Sequence, residues 1–133
     1  MASLFTSKQT HTSDFKIKNS EEKRRAEAEK ILAKYPDRIP IIAERYTGGD
    51  NILPDSDKKK FLVPHDLTMS QFAFVIRKRL KLKPTHAMFI FVNNLLIPSS
   101  MLMSQVYKEH KATDKFLYAV YSSEDTFGVN VDE

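Results

Sequence analysis

Apolar residues recur along this chain in two periods, and the switches between them mark its elements. Ala28, Ile31, Leu32 and Tyr35 form an i, i+3, i+4, i+7 stripe, which predicts an amphipathic helix. Asn19 or Ser20 caps its start, Asn19 with Glu22 having the form of a capping box, and Pro36 ends it. Glu27 lies one turn before Ile31 on the same side. From Arg38 to Tyr46 the period changes to two: Ile39, Ile41 and Ala43 alternate with Pro40, Ile42 and Glu44. Isoleucine on both faces predicts a strand covered on both sides. Gly48-Gly49-Asp50 signals a turn and residues 51–57 a loop. A second strand returns over Lys58–Val63, with Lys58, Lys60 and Leu62 on one side and Lys59, Phe61 and Val63 on the other. Lysines on both faces, and Pro64 without an N–H, place this strand at the edge of a sheet. Such an edge is either shielded or open to an extended acidic-aromatic peptide as a further strand.

Thr68 and Gln71 make a capping box for a helix over Met69–Leu80 that buries Phe72, Val75, Ile76 and Leu80. Arg77, Lys78 and Arg79 crowd its last turn, where the helix dipole favours cations. Met88–Val92 reads as a buried strand, Asn93-Asn94 as a turn, and Leu95–Ile97 as a brief extended piece stopped by Pro98. A short helix over about Ser104–Lys111 and a last strand over Phe116–Tyr121 follow. This order predicts an α+β fold, the ubiquitin-like β-grasp roll, with its first and last strands central and its second strand at an edge. The expected organisation is a flexible leader (1–12), an N-terminal helical extension (13–35), the ubiquitin-like domain (36–121), a flexible tail (122–128) and a final segment (129–133). Ser13–Asn19, with Phe15 and Ile17, reads equally as a short helix or an ordered arm.

Composition narrows the function. At 133 residues, 41% of them apolar, the chain can bury one modest core. It has no apolar run long enough to span a membrane, and no secretory h-region at its start. Without cysteine it can form no disulfide, no cysteine-based zinc site and no cysteine nucleophile. His11, His65, His86 and His110 are scattered, with no nucleophile or ligand at motif spacing. No catalytic residue, metal ligand or cofactor is therefore expected. A net charge of +4 points weakly to acidic partners. Nucleic acid is not expected among them, because the basic clusters sit at helix ends and the aromatics on core stripes.

Several segments carry a more specific signal. Glu22-Lys23-Arg24-Arg25, Lys34-Tyr35-Pro36-Asp37-Arg38-Ile39-Pro40, Asp57-Lys58-Lys59-Lys60-Phe61-Leu62-Val63-Pro64, Gln71-Phe72, Ile76-Arg77-Lys78-Arg79, Phe91-Val92-Asn93-Asn94, Tyr107-Lys108-Glu109-His110 and Thr126-Phe127-Gly128 occur in one order. Together they resemble the autophagy ubiquitin-like modifiers over roughly residues 20–128. The chain departs in a longer leader, a longer loop at Gly48-Gly49, and Phe61 where many members carry tyrosine.

The resemblance implies a life history. A dedicated cysteine protease would cut after Gly128, with Phe127 as the aromatic it recognises and Val129–Glu133 as the removable propeptide. E1-like and E2-like enzymes would then carry the Gly128 carboxyl as a thioester and join it to phosphatidylethanolamine. The protein would be cytoplasmic, and on the autophagosome membrane once lipidated. The resemblance also gives the edge strand a ligand: cargo-receptor peptides of the form aromatic-x-x-aliphatic. Glu27, Ile31, Pro40, Ile42, Lys58, Leu62 and Phe116 are the expected aromatic pocket. Phe61, Val63, Pro64, Leu67, Phe72 and Val75 are the expected aliphatic pocket. The rival reading is a ubiquitin-like adaptor that binds proteins or cytoskeleton and keeps Val129–Glu133.

Overall fold

Nine elements, described over residues 11–124 of the computed structural model, follow the predicted order. Helix α1 (Asp14–Lys18) settles the ambiguous arm as a short helix, capped by the Ser13 side chain and burying Phe15. Helix α2 (Glu21–Lys34) is capped by Ser20, whose hydroxyl accepts from the Lys23 N–H. Asn19 is not its cap, because its backbone closes α1 by donating to the Phe15 carbonyl. Strands β1 (Arg38–Arg45) and β2 (Lys60–Pro64) pair antiparallel, with Ile42 opposite Lys60 and Pro40 opposite Leu62.

Strand β2 starts two residues later than its sequence suggests. The Lys59 carbonyl just ahead of it still accepts from the Ala43 N–H of β1 at 2.8 Å, and Arg45 holds the preceding loop by donating to the carbonyls of Leu53 (2.5 Å) and Asn51 (2.6 Å). The alternation itself holds: Phe61 and Val63 are buried, while Lys60 and Leu62 are exposed.

Helix α3 (Met69–Leu80) carries the expected Thr68–Gln71 capping box. It buries Met69, Phe72, Ile76 and Leu80 but not Val75, which is 38% exposed. The buried stripe is narrower than the apolar one, so Val75 lies on its margin. Strands β3 (Phe89–Val92) and β4 (Leu95–Leu96) turn through Asn93 and Asn94, at φ 52° and 64°. Two left-handed residues match the twist of a tight hairpin, and asparagine tolerates them well. Helix α4 (Met103–His110) and strand β5 (Leu117–Ser122) complete the fold.

The sheet order is β2-β1-β5-β3-β4. Central strands β1 and β5 run parallel, and the other pairs are antiparallel. This is the β-grasp arrangement. The main core lies between α3, α4 and one sheet face, around Phe72, Ile76, Met103, Val106 and Leu117. A smaller core on the other face joins α1 and α2 to the sheet through Phe15, Ala28, Ile42 and Phe116. No helix among the described residues is long and apolar enough to cross a membrane.

Candidate peptide-docking edge

Strand β2 pairs with β1 on one side and forms one edge of the sheet. Beside it lies a depression of about 540 Å³ lined by Phe61, Leu62, Val63, Pro64, Leu67 and Val75, with Lys58, Lys78 and Arg79 at its rim. Five of the six residues expected of the aliphatic pocket meet here. Phe72, the sixth, is wholly buried and lies behind the wall, its ring edge-on to Phe61 at 6.0 Å. Its role is support: it fixes the Phe61 ring that lines the surface. Leu62 is 40% exposed, so both it and Val75 offer apolar area to a ligand.

The aromatic half is built differently. Glu27 and Ile31 come from α2, Pro40 and Ile42 from β1, Leu62 from β2, and Phe116 from the residue immediately before β5. Pro40, Ile42 and Phe116 are all buried. Phe15 contributes to their cover, its ring edge-on to Phe116 at 5.4 Å, and Ile31 packs against the same group. This half is thus a filled seam between α2 and the sheet, whereas the aliphatic half stands open.

Lys58, expected in the aromatic pocket, lies beside the aliphatic depression. Its ammonium lies over the Phe61 ring at 4.9 Å, at the aliphatic depression. The cation beside Glu27 is Lys60, with Nζ 2.5 Å from Glu27 Oε2. Register explains the difference, since Lys60 pairs directly with Ile42 on β1. Alternation puts both lysines on the Leu62 face, and the resemblance selects Lys58; the register that brings Lys60 to Glu27 is not legible in the sequence. Sequence reasoning also missed Phe15 as a cover for the seam. The apolar pair of Phe15 and Ile17 was the available signal, and only Phe15 is buried.

Two buried carboxylates hold the surrounding frame. Asp114, wholly buried, accepts from Arg24 Nη1 (2.5 Å), the Tyr118 hydroxyl (2.5 Å) and the Phe116 N–H (2.9 Å). Burial, and then the hydrogen bond to Asp114, push the Tyr118 phenol well above its ordinary range. Glu44 accepts from the Phe15 N–H (2.9 Å) and faces His11 Nε2 at 3.4 Å. The Thr47 N–H points at His11 Nδ1 (3.3 Å), leaving Nε2 as the ring donor to Glu44. Burial alone would raise the Glu44 carboxyl; hydrogen bonds from His11, the Phe15 N–H and Ser13 outweigh it and hold the group below its ordinary value.

Gly128 and Phe127, the expected conjugation and protease-recognition residues, lie outside the described residues. Near the end of the described residues, Ser123 donates its N–H to Asn51 Oδ1 (2.9 Å) and its hydroxyl accepts from the Ile52 N–H at 3.0 Å. Among the described residues, no group of three or more histidine, cysteine or acidic side chains is arranged to hold a metal ion.

Known proteins match this chain along most of its length. The model of the family described as "Autophagy protein Atg8 ubiquitin like" matches residues 23–128. Autophagy-related protein 8d of Arabidopsis thaliana is 56% identical over 117 residues, covering 88% of this chain and 96% of that protein. Autophagy-related protein 8 of Mycosarcoma maydis is 57% identical over 116 residues, covering 87% and 97%. Autophagy-related protein 8 of Emericella nidulans is 56% identical over the same length, with the same coverage.

Proposed function

This chain belongs to the Atg8 family of ubiquitin-like autophagy proteins, and on that premise we propose that it is a lipid-conjugated modifier that recruits peptide-bearing partners through strand β2. Two parts of the molecule divide the work. The C-terminal Gly128 forms the covalent attachment, and the β2 edge with its groove binds the partner.

The β2 groove is the observation that carries the binding half. An extended chain added to β2 supplies main-chain hydrogen bonds, and alternate side chains drop to either side of Leu62. The open depression at Phe61, Val63, Pro64, Leu67 and Val75 suits an aliphatic anchor. The seam between α2 and β1 suits an aromatic one, provided that Lys60 and Glu27 part to admit it. Lys58, Lys78 and Arg79 at the rim suit acidic residues flanking the motif.

The conjugation half rests on the family and on the sequence Phe127-Gly128-Val129. A cysteine protease hydrolyses the bond after Gly128. An E1-like enzyme joins the freed carboxyl to the AMP part of ATP, releasing pyrophosphate; its cysteine thiol then displaces AMP to give a thioester, which is exchanged onto the cysteine of an E2-like enzyme. The amine of phosphatidylethanolamine then attacks the carbonyl and the thiol leaves. Glycine suits each step, since a terminal residue without a Cβ threads narrow enzyme channels. Two acyl chains on one lipid give the stable hold that one chain does not. The protein then resides in the cytoplasm and, once lipidated, on the autophagosome membrane.

The test is the mass of the cellular protein with and without starvation. A chain ending at Gly128 and carrying one phosphatidylethanolamine is expected on membranes. Gly128→Ala should stay unprocessed and off the membrane, and a chain truncated after Gly128 should be lipidated without the protease. A lipid-modified Gly128→Ala protein would rule out conjugation at this residue. A wild-type chain that always keeps Val129–Glu133 would leave a peptide-binding adaptor instead.

A further inference from the structure

We propose that Arg24, Asp114 and Tyr118 act as positioning residues for the aromatic anchor, holding the two walls of the aromatic half in register. The inference rests on the docking function proposed above. One wall is helix α2, which carries Glu27 and Ile31. The other is the residue just ahead of β5, Phe116. Arg24 shares a helix face with Ala28 and Ile31, at i, i+4 and i+7. Its guanidinium therefore points towards the sheet from the same side as the wall it steadies.

Asp114 is the joint. Its Oδ2 takes Arg24 from α2 and Tyr118 from β5, and its Oδ1 takes the Phe116 N–H. A single carboxylate thus connects the helix wall to the backbone of the residue lining the opposite wall. Arg24 extends the tie through Nε, which donates to the Asn19 carbonyl at 3.0 Å. That fixes the junction of α1 and α2, and with it Phe15 over Phe116.

The loop before Phe116 is held as firmly. Lys115 sits at φ 74°, the left-handed region that a lysine seldom occupies. The Lys115 N–H donates to the Ala112 carbonyl (2.9 Å), the Ala112 N–H to the Phe116 carbonyl (2.9 Å), and the Tyr107 hydroxyl to the Lys115 carbonyl (2.7 Å). Lys115 also reaches Glu29 on α2 at 2.9 Å, but that pair is exposed and adds little.

Charge-assisted bonds to a buried carboxylate are short and directional, so they do not stretch to follow a sliding helix. With the joint intact, a ligand ring meets walls already in place. With it loosened, part of the binding free energy goes into ordering them. Nothing in this chain of bonds touches the aliphatic depression.

The experiment compares two peptides, one with tryptophan at the aromatic position and one with alanine there, both keeping the aliphatic anchor. Asp114→Asn would leave Arg24 facing a neutral amide in a buried site, so the milder Tyr118→Phe and Arg24→Lys carry the test, each at a temperature at which its melting profile shows it fully folded. Both should weaken the tryptophan peptide by about fivefold to tenfold and the alanine peptide by less than about twofold. In the free variants, amide resonances of Glu27, Ile31 and Phe116 should shift while those of Leu67 and Val75 stay in place. Equal losses for the two peptides, or no loss in either, would overturn the positioning role. A parent chain that binds neither peptide would overturn the docking function and this inference with it.

Discussion

Lys60 Nζ lies 2.5 Å from Glu27 Oε2, so one ion pair joins the edge strand to helix α2 over the aromatic seam. The two side chains are 53% and 35% exposed, and pairs of that kind contribute at most about 1 kcal/mol to folding. The pair matters more for ligands, because the same ammonium cannot serve Glu27 and an acidic peptide equally.

Glu27→Gln should therefore leave the melting temperature within about 2 °C of the parent. It should strengthen a peptide with acidic flanks by about threefold at low salt, with the gain gone near 0.5 M. Titration calorimetry at two ionic strengths reads this directly. An affinity unmoved at both would mean that Lys60 does not meet the acidic flank.

Leu62 and Phe72 should separate binding from folding. Leu62 is 40% exposed, so Leu62→Ala removes little area that folding buries, yet it should cost a docked peptide about 1–3 kcal/mol. Phe72 is wholly buried, and Phe72→Ala should cost about 3–5 kcal/mol of fold stability. Chemical denaturation alongside peptide titration distinguishes them. A Leu62→Ala protein with full affinity would place the docking site elsewhere.

Acid should release the N-terminal arm. The folded Glu44 carboxyl sits below its ordinary value because hydrogen bonds from His11, the Phe15 N–H and Ser13 outweigh the burial that would raise it. A depressed carboxyl contributes stability above its unfolded pKa of about 4.3, and that stability is lost as pH falls through the lower folded value. The protection factor of the Phe15 amide, its exchange rate taken relative to an unstructured peptide at the same pH, should fall below about pH 4.3 in the parent. In Glu44→Gln that protection should already be lower at neutral pH and vary less on acidification.

Alkali should act through Tyr121. Burial, and then the nearby Asp55 charge, push its phenol up to about 12, while its oxygen accepts from the Ser56 N–H at 3.1 Å. A raised tyrosine contributes stability that is full below about pH 10 and lost as pH rises through the folded value. Tyr118 acts in the same direction. Tyr121→Phe should cost about 1 kcal/mol at neutral pH and flatten the loss of stability at high pH. Melting curves across that range, with phenolate absorbance, test it. An unchanged slope would show that Tyr121 does not couple to folding.

The sequence by itself determined the elements and their order, because helix and strand periods are local and their caps lie within four residues. The Thr68–Gln71 box, the Asn93-Asn94 turn and the alternation of Phe61 with Leu62 are all of this kind. It also determined β2 as an edge, since lysine and proline there are compatible with few other places in a sheet. The tertiary structure decided what is long-range. Which lysine meets Glu27 depends on a strand register and a helix 33 residues away. Whether Val75 is buried depends on how wide a stripe α3 presents to the sheet. The joint between Arg24 and Asp114 spans 90 residues. Neither residue shows in its own neighbourhood that a buried partner exists, because a charge is excluded from a core until folding brings its counter-charge beside it.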